Sequence, residues 1–298
     1  MTINKWKILS LFSMILLFSS CGGQKGSKTL TIASKNFTEN IVLAHIVSEL
    51  VSGNSDIEVI TKPNLGATFL VWEAMQNGDI DIYPDYTGTI YQAHLKKTEK
   101  VSAEESLRIA QQEMNDKYQM KVFDPFGLNN TYAIGMLRTR AEELGISKIS
   151  DLRNHLDLVA GFDSEFISRD TDGSGPMFAA YGFEPEQPIV QLEIGLRYKA
   201  IIENQADYTD AFSTDAKLKR FDMVLLEDDL SFFPPYYAVT VARQDALERF
   251  PELPGILAKL VGTIDDETMT AMNYDVEEKK IKPKEVAIKF LKSRSLIK

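Results

Sequence analysis

An α/β fold in two lobes is what this sequence predicts, on two observations. Apolar, β-branched runs of strand length alternate with segments of helical period, the pattern of strands joined by helices in largely parallel sheets. Two polar passages bearing glycine or proline, 124–130 and 231–235, interrupt that pattern, and each is followed by a tyrosine-led extended run. A chain that leaves one lobe at the first passage and returns at the second has two hinge crossovers.

Residues 29–33 read as the first strand. Leu43, Val47, Leu50 and Val51 then share one face of a helix that Gly53 stops, and 56–61 reads as the second strand. The stretch 79–83 alternates polar and apolar residues, as a half-buried strand does. Pro84 is expected to end its pairing, having no N–H to donate. Gly88 permits a close turn and the apolar positions beyond it suit a helix. Aromatic rings would therefore sit at a strand-to-helix junction, where backbone N–H groups can meet an anion. Ser102 and Glu105 have capping-box spacing, and Leu107, Ala110, Met114 and Tyr118 continue at helical period. Strands are expected at 132–137, 156–160, 206–212, 223–226 and 236–242, with helices at 141–144 and 194–203 between them. Closing helices are expected around 253–261 and 284–291, the last with Pro283 in its first turn.

The N-terminus reads as an export signal. Lys5 and Lys7 precede an apolar run, 8–18, which is shorter than the roughly 20 apolar residues of a membrane-spanning helix. Phe18-Ser-Ser-Cys21 resembles the lipobox of bacterial lipoproteins. Residues 1–20 are thus expected to be a signal peptide, Cys21 the acylated residue, and 21–28 a flexible tether. The duller reading is an ordinary secretory peptide with an incidental cysteine. Cys21 is the only cysteine, so no intramolecular disulfide forms and core burial must supply stability. With 44% hydrophobic residues the composition is globular, and a net charge of −10 without a basic stripe is wrong for nucleic acid.

Catalytic and metal chemistry is poorly supported. His45, His94 and His155 have no ligands at metal spacing. The acidic runs 170–173 and 227–229 lack the calcium-loop pattern. Asp163 and Glu165 have no partner nucleophile, so structural hydrogen bonding is their default reading. Walker A, dinucleotide-glycine and nucleophile-elbow motifs are absent from the sequence.

Nine separated motifs carry a family resemblance. Among them are Ser34-Lys-Asn-Phe-Thr-Glu39, Gly78-Asp-Ile-Asp-Ile-Tyr-Pro-Asp-Tyr-Thr-Gly-Thr89, Asn129-Asn-Thr-Tyr132, Gly161-Phe-Asp-Ser-Glu-Phe166, Asp210-Ala-Phe-Ser-Thr-Asp215 and Phe232-Phe-Pro-Pro-Tyr-Tyr-Ala238. From about residue 29 to 291 the chain resembles the substrate-binding lipoproteins of osmoprotectant ABC importers, the glycine betaine/carnitine/choline-binding group. The resemblance implies a two-lobed periplasmic-binding-protein-like fold of type II, with 29–130 plus 237–298 in one lobe and 131–236 in the other.

It also implies a ligand site. Tyr86, Tyr132, Phe212 and Tyr236 would box a quaternary ammonium, while Lys35, Thr89 and Arg169 would meet its carboxylate. A trimethylammonium has no N–H to donate, so aromatic faces must read its charge and methyl surface, at about 0.5–2 kcal/mol per contact. Phe212 stands where the family commonly has tyrosine, which keeps the ring face and loses a hydroxyl. Thr89, being neutral, tolerates zwitterions such as glycine betaine or carnitine. The implied partners are a quaternary-ammonium small molecule and an ABC permease in the membrane. The chain would act as a lipid-anchored monomer on the extracytoplasmic face, with no cofactor, no metal and no reaction of its own. A secreted α/β enzyme acting on a choline-like substrate, or a binding protein for a polar amino acid, are the alternative readings.

Overall fold

The computed structural model describes residues 29–298. The expected signal peptide, Cys21 and tether lie outside the described residues. The first sheet is ordered β2-β1-β3-β10-β4, from β1 (Thr29–Lys35), β2 (Glu58–Gly66), β3 (Ile82–Tyr86), β4 (Met120–Val122) and β10 (Ala238–Arg243). The second is ordered β7-β6-β8-β5-β9, from β5 (Tyr132–Leu137), β6 (Ala160–Asp163), β7 (Val190–Leu192), β8 (Tyr208–Phe212) and β9 (Met223–Leu226). Each sheet is the centre of one lobe.

Neither sheet is wholly parallel. β1 runs parallel to β2 and β3, and β6 parallel to β7 and β8. The strands that enter each sheet directly from the other lobe, β5 and β10, run antiparallel to both of their neighbours. Such a strand arrives from across the cleft, without the helical crossover that returns a chain to the same end of a sheet.

The two connections between lobes lie side by side. Asn129 bridges Tyr237 in antiparallel fashion, Asn130 N–H donates to the Tyr236 carbonyl at 3.1 Å, and Tyr236 N–H donates to Asn129 Oδ1 at 2.7 Å. The paired strands form a double hinge.

In the first lobe, α1 (Thr38–Asn54) buries Leu43, Ile46, Val47, Leu50 and Val51, and α2 (Thr68–Asn77) ends at Gly78 in the left-handed region. The sequence periodicity passes over α2, whose apolar face is short. The one-turn α3 (Thr87–Thr89) leads into a π-helical turn, Ile90–His94. Ser102 caps α4 (Ala103–Tyr118), accepting from Glu105 N–H at 3.1 Å as its spacing predicts. The second lobe carries α5 (Arg138–Leu144), α6 (Ser164–Ser168), α7 (Ser174–Tyr181), α8 (Arg197–Ile202) and α9 (Ala216–Arg220). After β10 the first lobe closes with α10 (Gln244–Arg249), α11 (Leu253–Leu257), α12 (Asp266–Glu277) and α13 (Pro283–Ser293). Pro283 stands in the first turn of α13, where its missing N–H costs nothing.

Candidate functional site

The first lobe presents β3 and α3 to the cleft. Pro84 does not end the strand, as the sequence had suggested; it pairs with Thr240 of β10. Its carbonyl accepts from Asn40 Nδ2 at 3.0 Å, and N–H and C=O of one strand residue point the same way. The missing N–H is therefore on the side away from β10. Tyr83 and Asp85, two apart and on one face of β3, meet as Tyr83 donates to Asp85 Oδ2 at 2.6 Å. Lys35 Nζ lies 2.6 Å from Asp85 Oδ1, and His94 Nε2 lies 2.9 Å from Asp85 Oδ2. His94 stacks on Trp72 at 4.1 Å. Burial opposes ionisation of Asp85, but Lys35 and His94 hold its carboxyl well below the usual range. Burial pushes His94 down toward the neutral imidazole. Lys35, expected to meet a ligand, is thus already in a buried ion pair. The Thr87 amide at the start of α3 is committed to the Tyr237 carbonyl at 3.0 Å, so this junction offers no free first amide to an anion.

Beside it sits a buried carboxylate that sequence reasoning passed over. Glu39, in the first turn of α1, accepts from Tyr86 Oη at 2.8 Å, Asn130 Nδ2 at 2.8 Å, Thr214 Oγ1 at 2.6 Å and Asn273 Nδ2 at 3.3 Å. Burial raises its pKa against the pull of those bonds. Thr214 follows β8, so this network joins both lobes and the hinge.

The second lobe brings its own rings. The register places Tyr132 of β5 directly opposite Phe212 of β8. Tyr132 lies 5.1 Å from Phe212 and 5.6 Å from Tyr236, ring centre to ring centre. Phe37, which the sequence did not single out, bridges the lobes, 6.1 Å from Tyr86 and 5.3 Å from Phe212. Gly88 serves this packing, and not a left-handed turn: a Cβ there would meet the Tyr236 ring at 2.7 Å. Across the opening, Thr68 N–H donates to Glu165 Oε2 at 3.2 Å.

Tyr86, Tyr132, Phe212, Tyr236, Lys35 and Thr89 all line one cavity between the lobes. Phe37, Asn130, Asp163 and Glu165 share its wall. All four belong to the quoted motifs; Asp163 and Glu165 carried only a structural hydrogen-bonding reading there, and no pattern within the motifs marks Phe37 or Asn130 singly. Arg169 is not on that wall. Its Nε and Nη2 grip Asp172 at 2.7 and 2.6 Å, Nη1 lies 3.3 Å from Glu165, and its guanidinium sits 5.5 Å from the Tyr132 ring centre. Tyr236 Oη also donates to Asp172. Arg197, buried against Asp210 and Asp215 at 2.5 and 2.7 Å, lies 4.5 Å from the Phe212 ring centre.

A cavity walled by rings and buried charge, shut between two sheets on a double hinge, defines a solute-binding protein that closes over its ligand. The sequence profile described as the substrate binding domain of ABC-type glycine betaine transport system matches residues 28–293. The chain belongs to that family, and is an extracytoplasmic solute-binding protein of an ABC importer with the type II periplasmic-binding-protein fold. It is 32% identical over 302 residues to the carnitine transport binding protein OpuCC of Listeria monocytogenes, covering 98% of each chain. It is 33% identical over 287 residues to the glycine-betaine-binding protein of Pseudomonas aeruginosa, covering 92% of this chain and 91% of that one. A solved structure of a glycine betaine/carnitine/choline ABC transporter superposes with a TM-score of 0.73 at 31% identity, covering 90% of this chain and 99% of that chain. Among the described residues no helix is long and apolar enough to cross a membrane.

Proposed function

We propose that the chain is a lipid-anchored receptor, acylated at Cys21, that captures a quaternary-ammonium osmoprotectant such as glycine betaine, carnitine or choline and hands it to its membrane permease. The observation that carries the reading is the convergence of Tyr86, Tyr132, Phe212 and Tyr236 on one cavity. Those rings box the ammonium by cation–π attraction in a water-poor space. Thr89, whose hydroxyl makes no hydrogen bond among the described residues, donates to the ligand carboxylate, with Lys35 and Arg169 adding positive charge. The 3.3 Å contact to Glu165 is the longest of Arg169's polar contacts and the one a ligand carboxylate replaces. The protein binds as a monomer, needs no cofactor and performs no reaction. One lobe comprises 29–130 plus 237–298, the other 131–236.

Titration calorimetry with glycine betaine, carnitine, choline, proline betaine and common amino acids tests the reading. Binding of a quaternary amine that is lost in Tyr86→Ala supports it. Binding of amino acids alone, or of no quaternary amine, overturns it.

A further inference from the structure

Two residues of the cavity wall each hold a buried acceptor oxygen with no donor among the described residues. Asn130 and Asp163 both line the cavity, and Asn130 Oδ1 and Asp163 Oδ2 are buried without a hydrogen bond among the described residues. Asp163 as a residue is 4% exposed. Its other oxygen, Oδ1, is occupied as the N-cap of α6, accepting from Glu165 N–H at 2.7 Å and Phe166 N–H at 3.3 Å. Asn130 Nδ2 is likewise committed, to Glu39. Buried acceptors left unpaired are costly, and a native structure that keeps them needs a reason.

We infer that Asp163 Oδ2, with the amide oxygen of Asn130, forms the electronegative wall that faces the ligand's cationic head, and that Asp163 sets the preference for a charged head over a neutral one of the same shape. The inference rests on the proposed quaternary-ammonium site.

Position supports it. β6 and β8 run parallel, and the Asp163 amide donates to Asp210 Oδ1 at 2.9 Å. Asp163 therefore ends its strand at the same sheet edge as Phe212, the end of β8, and Tyr132, which pairs with Phe212. Charge supports it too. Asp163, Asp210 and Asp215 share one guanidinium, Arg197, which reaches Asp163 Oδ2 only at 3.8 Å but the others at 2.5 and 2.7 Å. Burial, and then the charge of Asp210, push the Asp163 pKa well above the usual carboxylate range. Three carboxylates share one guanidinium, so the cluster lacks positive charge, and a bound cation supplies part of it and draws Asp163 toward its ionised form. A trimethylammonium spreads its charge over its methyl hydrogens, which approach oxygen through C–H···O contacts.

The test uses the full chain and two ligands of equal shape, glycine betaine and the carboxylate in which carbon replaces its nitrogen. Asp163→Asn and Asp163→Ser both keep an acceptor suited to the N-cap. The expected result is a loss of about tenfold or more for glycine betaine, with the neutral isostere changed by less than about threefold. Equal losses for both ligands, or no loss, overturn the inference. A second measurement needs no variant. The groups facing Asp163 are Asp210 from β8, Arg197 from α8, Glu165 from α6 and Tyr132 from β5, with Lys35 on the opposite wall. Affinity of the natural chain for glycine betaine should fall as pH is lowered across the range in which the chain stays folded, because protonation removes the Asp163 charge. An affinity flat across that range overturns the inference. Should the natural chain bind no quaternary amine at all, the proposed function fails and this inference with it; binding that ignores Asp163 defeats the inference alone.

Discussion

Thr214 Oγ1 donates to Glu39 Oε2 at 2.6 Å, joining the end of the second lobe's central strand to the first helix of the other lobe. Both side chains are buried, and Glu39 also gathers Tyr86 and the hinge residue Asn130. One wall ring, one hinge amide and one residue of the opposite lobe thus converge on a single carboxylate. Opening the cleft must break the Thr214 bond while leaving the Tyr86 bond intact within its own lobe.

Thr214→Val keeps the shape and removes that bond. A hydrogen bond to a charged group contributes about 1.5–3 kcal/mol, and only the closed form makes this one. Closure is coupled to binding, so affinity for the cationic ligand should fall by on the order of tenfold to a hundredfold. Calorimetry reads the affinity, and small-angle scattering of the unliganded variant should show a more open average shape. An unchanged affinity would show that Thr214 does not restrain the lobes.

Phe212 tests the ring against the hydroxyl. Arg197 lies 4.5 Å from its ring centre and Tyr132 pairs with it across the sheet, so the ring is fixed from both sides. Phe212→Leu removes the aromatic face and should cost about 0.5–2 kcal/mol of ligand binding, a cation–π contact. Phe212→Tyr restores the common family side chain and should change affinity by less than about threefold. A larger gain in Phe212→Tyr than loss in Phe212→Leu would mean that the hydroxyl, not the face, matters at this wall.

The rings that line the cavity were legible because they stand at strand ends inside recognisable motifs: Tyr86 closes β3, Tyr132 opens β5, Phe212 closes β8. Periodicity also found β5, β9 and the Ser102 cap. It could not reveal which neighbour a strand would have, and that decided Pro84: β10 pairs on the side where proline lacks nothing. Nor could it show Glu39 as a hub, since Asn130, Thr214 and Asn273 are distant in sequence and meet only after the lobes fold and close. Lys35 as a carboxylate-facing group follows from the family resemblance, while its ion-pair partner, Asp85, is fifty positions away and could not be read from the sequence.

That pair gives a pH dependence. Asp85 is fully buried and its carboxyl is held below the usual range in the folded chain. A depressed folded value means that the stabilisation is complete above the unfolded value of about 3.9 and is lost as pH falls through the folded one. Asp85→Asn leaves the Lys35 ammonium buried and without a charged partner, and should cost about 3–5 kcal/mol at neutral pH. Urea unfolding of natural and variant chains should show that difference shrinking as acid protonates Asp85. A gap that stays constant down to about pH 2 would assign the loss to shape alone.

Gly88 offers a substitution that acts on the cavity wall without replacing any of its rings. Its backbone needs no glycine conformation, since it does not occupy the left-handed region, and it lies in the short α3. A Cβ at this position would come within 2.7 Å of two ring carbons of Tyr236 and 3.0 Å of a third. The ring cannot swing away freely, because its hydroxyl bonds Asp172, which Arg169 grips through two nitrogens. Gly88→Ala should therefore shift Tyr236 or strain that network, at a cost of about 1–3 kcal/mol for overpacking. The loss should appear in ligand affinity as well as in the melting temperature of the unliganded chain, because the displaced ring belongs both to the cavity wall and to the hydrophobic core. Gly88→Ala combined with Tyr236→Leu relieves the clash, so the double variant should melt no lower than Tyr236→Leu alone. A double variant that lost stability additively would place the cost of the methyl group elsewhere in the β3–α3 junction.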